Sequence, residues 1–327
     1  MRIGLGLVVS VLLLSLLANL YLGSFFVSSM SLGASEQVYQ EGDAAHRIVI
    51  LPLRGTVDDS MARYVHQALD ALRKDPPAAI VLRVDSPGGG VEAADHIWHE
   101  LDQFRRATKV KIVSSYGAIA ASGGYYISCL SDYIYCEPTT ITGSVGVIMT
   151  TFTVGDLLKK IGVDPVVLTA RTSPDKDVAN NPFRPWEPKD TAEVQPFLDD
   201  IHKVFMERVF AGRSRVVPGL TMADVEKAST GQAMMEAQAQ SLKLVDAQGY
   251  LDDALAKARE LAGLANAPKP EVTVLTIRKG LLADLGLRTE ASNPLAHMTG
   301  EEARDWLLDL STPRMEYRYM PGVAANR

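Results

Sequence analysis

The chain opens on a run without charge, residues 4–26, GLGLVVSVLLLSLLANLYLGSFF. About 20 such residues cross a bilayer core as a helix. The run exceeds the roughly 7–15 residues of a secretory signal's apolar region, which predicts an anchor that stays attached. After a polar connector, 47–57 (RIVILPLRGTV) reads as a buried strand ending at Gly55. Met61, Val65, Leu69 and Leu72 then recur at helical spacing and predict a helix over 59–73, stopped by Pro76 and Pro77. Residues 80–101, IVLRVDSPGGGVEAADHIWHEL, read as an apolar strand, a glycine-rich turn and a helix that continues to Phe104. Residues 109–148 read as strand, tight turn, buried helix, strand, loop and strand, with strands at 133–136 and 145–149. A helix over 154–161, a strand at 166–168 and a loop over 169–188 lead to a long helix over 190–211 and an amphipathic one over 250–261. Strand and helix alternate, so a layered α/β body is expected.

Ser122 stands at the centre of this pattern, between the small residues of AIAA (118–121) and Gly123–Gly124. Bare backbone on both sides lets a substrate carbonyl come close. A serine opening an apolar helix points its hydroxyl at the positive end of the helix dipole, where an oxyanion is stabilised. An isolated serine in that position is also an ordinary helix cap. The glycine-rich turn upstream can expose N–H groups to a developing oxyanion, although strand-to-helix turns are often glycine-rich without any such role.

Composition narrows the classes. With 327 residues, 47% of them apolar and 22% charged, the chain is that of a globular protein. Its net charge is -6, with lysines and arginines scattered, so no nucleic-acid footprint is expected. Cys129 and Cys136 both lie in apolar runs and are expected as buried free thiols. Neither a metal site nor a cofactor is expected. His96 and His99 in HIWHE lack the spacing of zinc-binding helices.

Together DSPGG, AASGGYYIS and TGSVGV, at these separations, resemble the signal peptide peptidase A family of membrane-anchored serine peptidases. The resemblance covers about residues 46–260 and extends to the ending PRMEYRYMP. It implies a Clp-protease/crotonase-like fold, a layered α/β domain of repeated ββα units, here in single-core form with an N-terminal transmembrane helix. It also implies a nucleophile at Ser122, oxyanion donors at Gly89 and Gly123, and a lysine-orienting hydroxyl at Ser144, a residue that could equally satisfy a turn. A serine needs a base. Six histidines compete for that role (His46, His66, His96, His99, His202 and His297), and so do several lysines. Composition does not separate Lys176 from Lys159, Lys160 or Lys189; the resemblance selects Lys176, in RTSPDKDVANNP. Asp85 is expected to bond nearby backbone. Gln232, Glu236 and Lys243 depart from the family pattern, away from the nucleophile.

These readings divide the chain into a cytoplasmic tip and transmembrane signal-anchor (1–28), a connector (29–45), a peptidase domain (46–265) and a C-terminal extension (266–327). Arg2 precedes the span, while Glu36, Glu41 and Asp43 follow it ahead of any basic residue, so the N-terminus is expected inside and the body extracytoplasmic. The expected protein is a single-pass enzyme of the cytoplasmic membrane with a serine/lysine dyad. Its expected partners are hydrophobic peptides such as cleaved signal peptides, the bilayer through residues 4–26, and copies of itself in a ring. A non-catalytic anchored scaffold and a crotonase-type acyl-CoA enzyme are the competing readings.

Overall fold

The computed structural model describes Ser15, Asn19, residues 34–277 and residues 314–318. The span expected at 4–26 therefore lies outside the described residues apart from Ser15 and Asn19, and among the described residues no helix is long and apolar enough to cross a membrane.

The centre of the fold is a parallel sheet. Strands β1 (Ala34–Gln40), β2 (Asp43–Val57), β3 (Ala79–Gly90) and β4 (Lys111–Ala121) are separated by helices α1 (Asp59–Lys74) and α2 (Val91–Thr108). After β4 come the short helix α3 (Gly123–Ser128) and strands β5 (Tyr133–Cys136), β6 (Ile141–Gly143) and β7 (Ile148–Thr150). Helices α4 (Gly155–Lys160), α5 (Pro188–Arg213) and α6 (Met222–Ala228) precede β8 (Ala233–Met235), α7 (Glu236–Ser241), β9 (Ala247–Gln248), α8 (Leu251–Leu261), β10 (Pro270–Ile277) and β11 (Arg314–Arg318). The strand order is β1-β10-β2-β3-β4-β5-β9, parallel from β10 to β9. β6 runs parallel to β4, and β8 pairs antiparallel with β6.

Both faces of this sheet are covered, which is why its strands read as unbroken apolar runs. Val49, Leu51, Leu53, Ile80, Leu82 and Val84 pack with α1, α2 and α3 in the larger core. The residues between them, Ile48, Ile50, Ala79 and Val81, pack on the opposite face with Ala254, Leu255 and Ala258 of α8. The two-residue period of a strand deals alternate side chains to the two cores. Helix α1 begins where Asp58 accepts a hydrogen bond from the Met61 N–H at 2.9 Å, and its buried residues Met61, Val65, Leu69 and Leu72 form one stripe.

The structure corrects two expected strands and adds strands to the main sheet. Of the strand expected at 145–149 only the end is strand, β7 from Ile148; Ser144 has φ 51, and residues 144–147 run without regular structure between β6 and β7. The strand expected at 166–168 is irregular: Val166 and Leu168 are 82% and 89% exposed, and among the described residues no neighbouring strand gives their backbone a ladder. The described parts of the expected connector and C-terminal extension are strands of the main sheet, β10 between β1 and β2, and β11 against β3 and β7. The lengths of α2 and α5 exceed the expected ones by a few residues; Pro188 fits the first turn of α5, where its missing N–H has no partner to lose.

Cys129 and Cys136 are free and buried, as expected, and burial pushes each thiol up to about 12. Beneath α3, the fully buried Arg213 gives Asp246 two hydrogen bonds, at 3.1 and 2.6 Å, while Asp246 also accepts from the Ile134 N–H at 2.7 Å. Removing one partner of a buried ion pair strands the other charge. Asp246→Ala is therefore expected to lower the unfolding free energy by about 3–5 kcal/mol, read as a lower denaturation midpoint in urea; a midpoint equal to wild type would show that the pair carries no stability.

Candidate active site

Three parallel strands end side by side, and each end carries part of the site. β3 ends in the DSPGG turn, β4 ends at Ser122 and β6 ends at Ser144. Ser122 has φ 54 and ψ −117, a left-handed backbone that a side chain rarely adopts. Its N–H donates to the Gly143 carbonyl at 2.8 Å, and its carbonyl accepts from the Tyr126 N–H at 2.8 Å. This is a strand-to-helix elbow, the kind of turn that can carry a nucleophile on an α/β sheet. The residue itself is 1% exposed, so the elbow lies under other parts of the chain.

The DSPGG turn is held by its own side chains. Asp85 accepts from the Ile119 N–H of β4 at 3.3 Å, the structural role expected for it. Buried Ser86 accepts from the Gly88 N–H at 3.2 Å. The turn then packs on the elbow so closely that a methyl group on Gly124 would lie 2.6 Å from the Ser86 carbonyl oxygen. One placed on Gly123 would lie 3.0 Å from the Gly89 nitrogen, and one on Gly88 would lie 2.6 Å from the Gly123 nitrogen. The sequence-selected pair Gly89 and Gly123 is thus brought together, with no side chain between the two amides.

That space is occupied. β11 runs antiparallel between β3 and β7, with Tyr317 opposite Gly89 and Glu316 opposite both Gly90 and Ile148. A methyl on Gly88 would lie 1.9 Å from the Tyr317 carbonyl oxygen, and one on Gly123 would lie 3.0 Å from it. A backbone carbonyl from the C-terminal strand therefore sits where the elbow and the glycine turn meet. An extended segment added to a sheet edge is a common mode of peptide recognition.

Ser144 is buried with φ 51, and its N–H donates to the Gln232 carbonyl at 2.9 Å. The parallel register of Ala121 with Gly143 puts it beside Ser122. Lys176 is placed differently. It lies exposed in a 3-10 turn, Pro174–Asp177, and with Val167, Leu168 and Phe183 lines a cavity of about 170 Å³. Within the chain no hydrogen bond joins it to Ser122 among the described residues. His99 bonds Gln103, His66 bonds Glu100 and His46 bonds Asp43, while His297 lies outside the described residues. Among the described residues no three His, Cys, Asp or Glu side chains cluster as metal ligands.

The loop carrying Lys176 is tied down by a residue that the sequence did not single out. Buried Asp190, in the first turn of α5, takes two hydrogen bonds of 2.6 Å from Arg184 and one each from the Ala179 and Glu187 N–H groups. Arg184 in turn donates to the Asp177 carbonyl at 3.2 Å. The Arg184 guanidinium beside Asp190 holds its carboxyl well below the usual carboxylate range. The only sequence signal was an Arg and an Asp six residues apart around Pro185 and Pro188.

A model of peptidase family S49 matches residues 104–265, and one of the NfeD1b N-terminal domain matches residues 47–156. The chain is 32% identical over 252 residues to putative protease slr0021 of Synechocystis, covering 76% of this chain and 87% of that one. It is 30% identical over 245 residues to a putative signal peptide peptidase SppA of Enterococcus faecium, covering 71% and 69%. Among solved structures, a mutant of the 1510-N membrane-bound stomatin-specific protease with a substrate peptide aligns with TM-score 0.43 and 15% identity, over 75% of this chain and 97% of that one.

A carboxyl whose native pKa lies below its unfolded value, about 3.9 for aspartate, adds stability that is complete above that value and is lost as pH falls toward the native one. Asp190→Asn is accordingly expected to speed proteolytic nicking within 170–187 at pH 7, with the gap from wild type closing as the pH falls below about 4. Equal nicking at pH 7 would remove Asp190 as the loop's anchor.

Proposed function

The chain belongs to peptidase family S49 and is a serine peptidase; on that premise we propose that it hydrolyses hydrophobic peptides with a Ser122–Lys176 dyad at the outer face of a cytoplasmic membrane. One observation carries the peptide reading: a backbone carbonyl of an extended strand already lies between the Ser122 elbow and the glycine turn. Such a strand is what a peptide substrate would present. A cavity of about 480 Å³ where Met149 and Thr150 of β7 meet Thr191 and Val194 of α5 gives further room along the same line.

In the proposed cycle Ser122 Oγ attacks the peptide carbonyl carbon while the unprotonated Lys176 amine takes its proton. The carbonyl's electron pair moves to oxygen, where the N–H groups of Gly89 and Gly123 stabilise it. Collapse breaks the C–N bond, and the lysine returns its proton to the leaving amine. Water then repeats the sequence on the acyl-enzyme and releases the acid. Ser144 orients the amine.

The base is proposed to come from a second copy. Lys176 lines a cavity with the exposed apolar side chains of Val167, Leu168 and Phe183. Contiguous exposed apolar surface of that kind marks an interaction site. A ring of copies places the loop of one on the elbow of the next. The uncharged run at 4–26 supports the membrane part of the proposal, and the flanking charges support an N-terminus inside. The hydrophobic substrate class, with leftover signal peptides as its instance, is supported by that proposed location and by the name of the Enterococcus relative.

Ser122→Ala and Lys176→Ala are each expected to lower hydrolysis of a hydrophobic signal-like peptide by about 10⁴-fold or more. Wild-type activity should rise toward alkaline pH, because an amine acts as a base only when unprotonated. Mixing the two inactive variants should restore activity, since each supplies the group that the other lacks. Mixtures that stay inactive would place the dyad within one subunit, and full turnover by Lys176→Ala would move the base elsewhere.

A further inference from the structure

We infer that helix α4 and its flanks form a second contact with the bilayer, in which Phe152, Leu157, Ile161 and Val163 enter the headgroup layer and Lys159 and Lys160 meet its phosphates. This rests on the anchored placement proposed above and adds which surface of the body lies on the membrane.

The topology puts α4 and the start of β1 at one end of the sheet. β10 runs parallel to β2 and β3, and Ala34, the first residue of β1, pairs with Ile277, the last of β10. The chain coming from 4–26 therefore joins the sheet at the edge where β3 ends in the glycine turn and β4 ends at Ser122. β7 points the same way as β3, since both are antiparallel to β11. It starts level with Gly90, the end of β3, and runs on past it, so α4, which follows β7, lies beyond that edge. Only residues 27–33 separate the apolar run from β1. A connector of that length reaches about 25 Å at most. A body tethered that closely keeps this edge, and whatever projects past it, near the bilayer.

The surface that α4 presents suits a medium without water. Leu157 and Ile161 stand one turn apart on the same side and are 61% and 66% exposed, with Phe152 before them 56% exposed and Val163 after them 46%. The last carbonyls of the helix are closed internally. With Gly162 at φ 79, its N–H donates to the Lys159 carbonyl at 3.1 Å and the Val163 N–H donates to the Leu158 carbonyl at 3.0 Å. Backbone groups left open would keep such a turn out of lipid. At the other end the Val154 N–H donates to the Pro182 carbonyl at 2.7 Å, and a methyl group on Gly155 would lie 2.1 Å from the Phe183 carbonyl oxygen. The helix is thus seated on the segment that Arg184 and Asp190 fix, with its apolar side outward.

The charges select lipid as the occupant. Lys159 and Lys160 are exposed and form no ion pair among the described residues. A protein surface covering α4 would have to supply partners for both ammonium groups, whereas lipid phosphates lie at the depth that lysines reach from a buried apolar face.

The test places the full chain in vesicles of phosphatidylcholine and phosphatidylglycerol. An environment-sensitive fluorophore is attached at Leu157→Cys and, in a separate variant, at Lys269→Cys, just ahead of β10 at the opposite end of the sheet; Cys129 and Cys136 are buried, so the wild type stays unlabelled. Phosphatidylcholine with a spin label just below its headgroup is expected to remove about half of the emission from position 157 and none from position 269. Omitting phosphatidylglycerol, or combining Lys159→Glu with Lys160→Glu, should lessen that quenching. A label at 157 whose emission shifts without quenching by lipid is covered by a second copy of the chain, and one that does neither stays in water; either result overturns the inference. Carbonate extraction of the same vesicles reads the anchor separately. Release of the chain rejects 4–26 as a span whatever position 157 reports, while a chain that resists release with an unquenched label keeps its anchor and loses this contact.

Discussion

The left-handed backbone at Ser122 is the constraint on which the site depends. A non-glycine residue in such a conformation costs on the order of 1–3 kcal/mol, and it persists only where its surroundings leave no alternative. Here its N–H is taken by Gly143 and its carbonyl by Tyr126, and every residue of α3 is buried. Gly123 and Gly124 cannot carry even a methyl group without meeting the DSPGG turn. The strain is thus balanced by the packing of a helix that has nowhere else to go. The parallel arrangement of β3, β4 and β6 then determines which other groups are near, because all three strands end at the same edge. Sites in open α/β sheets gather at that edge for the same reason.

Helix α5 extends this constraint across the molecule. Its first turn carries Asp190, which pins the Lys176 loop through Arg184 and two backbone amides. Its middle carries Ile201, Phe205 and Arg208, which line or brace the slot holding Tyr317. Its last turn carries Arg213, which with Asp246 supports α3 from below, where Tyr125 also donates to the Leu244 carbonyl at 2.8 Å. One rigid element therefore sets the loop of the proposed base, the slot that holds Tyr317 and the support of the Ser122 elbow.

Most of the sheet and the elbow were legible in the sequence because they are written in local pattern. Apolar runs flanked by glycine or proline mark buried strands, and β2, β3, β4 and β5 were placed to within a few residues on that basis alone. The glycine pair around Ser122 and the DSPGG turn are close in sequence to the elements they join, so their meeting needed no long-range knowledge. The unread parts are long-range. Nothing in RMEYR says that it will lie against β3 more than 200 residues earlier in the chain, and Tyr126 reads as ordinary core until Tyr317 is seen stacked on it. The positive φ of Ser144, just ahead of the strand expected at 145–149, is likewise absent from any local pattern.

The strand expected at 166–168 is the most informative difference. Val166–Leu168 has the β-branched, apolar composition of a buried strand, yet Val166 and Leu168 are nearly fully exposed and the segment has no ladder partner among the described residues. A sequence pattern that a single chain does not satisfy is reasonable if the satisfying surface belongs to another molecule, and under the proposed shared dyad that molecule is a second copy. The same contact that covers Val166 and Leu168 would carry Lys176, ten residues on and lining the same cavity, toward a neighbour's elbow. Assembly would then be a condition of catalysis, because burial of the loop and delivery of the base are one event: an isolated subunit would keep its nucleophile under its own β11, with the amine left in water.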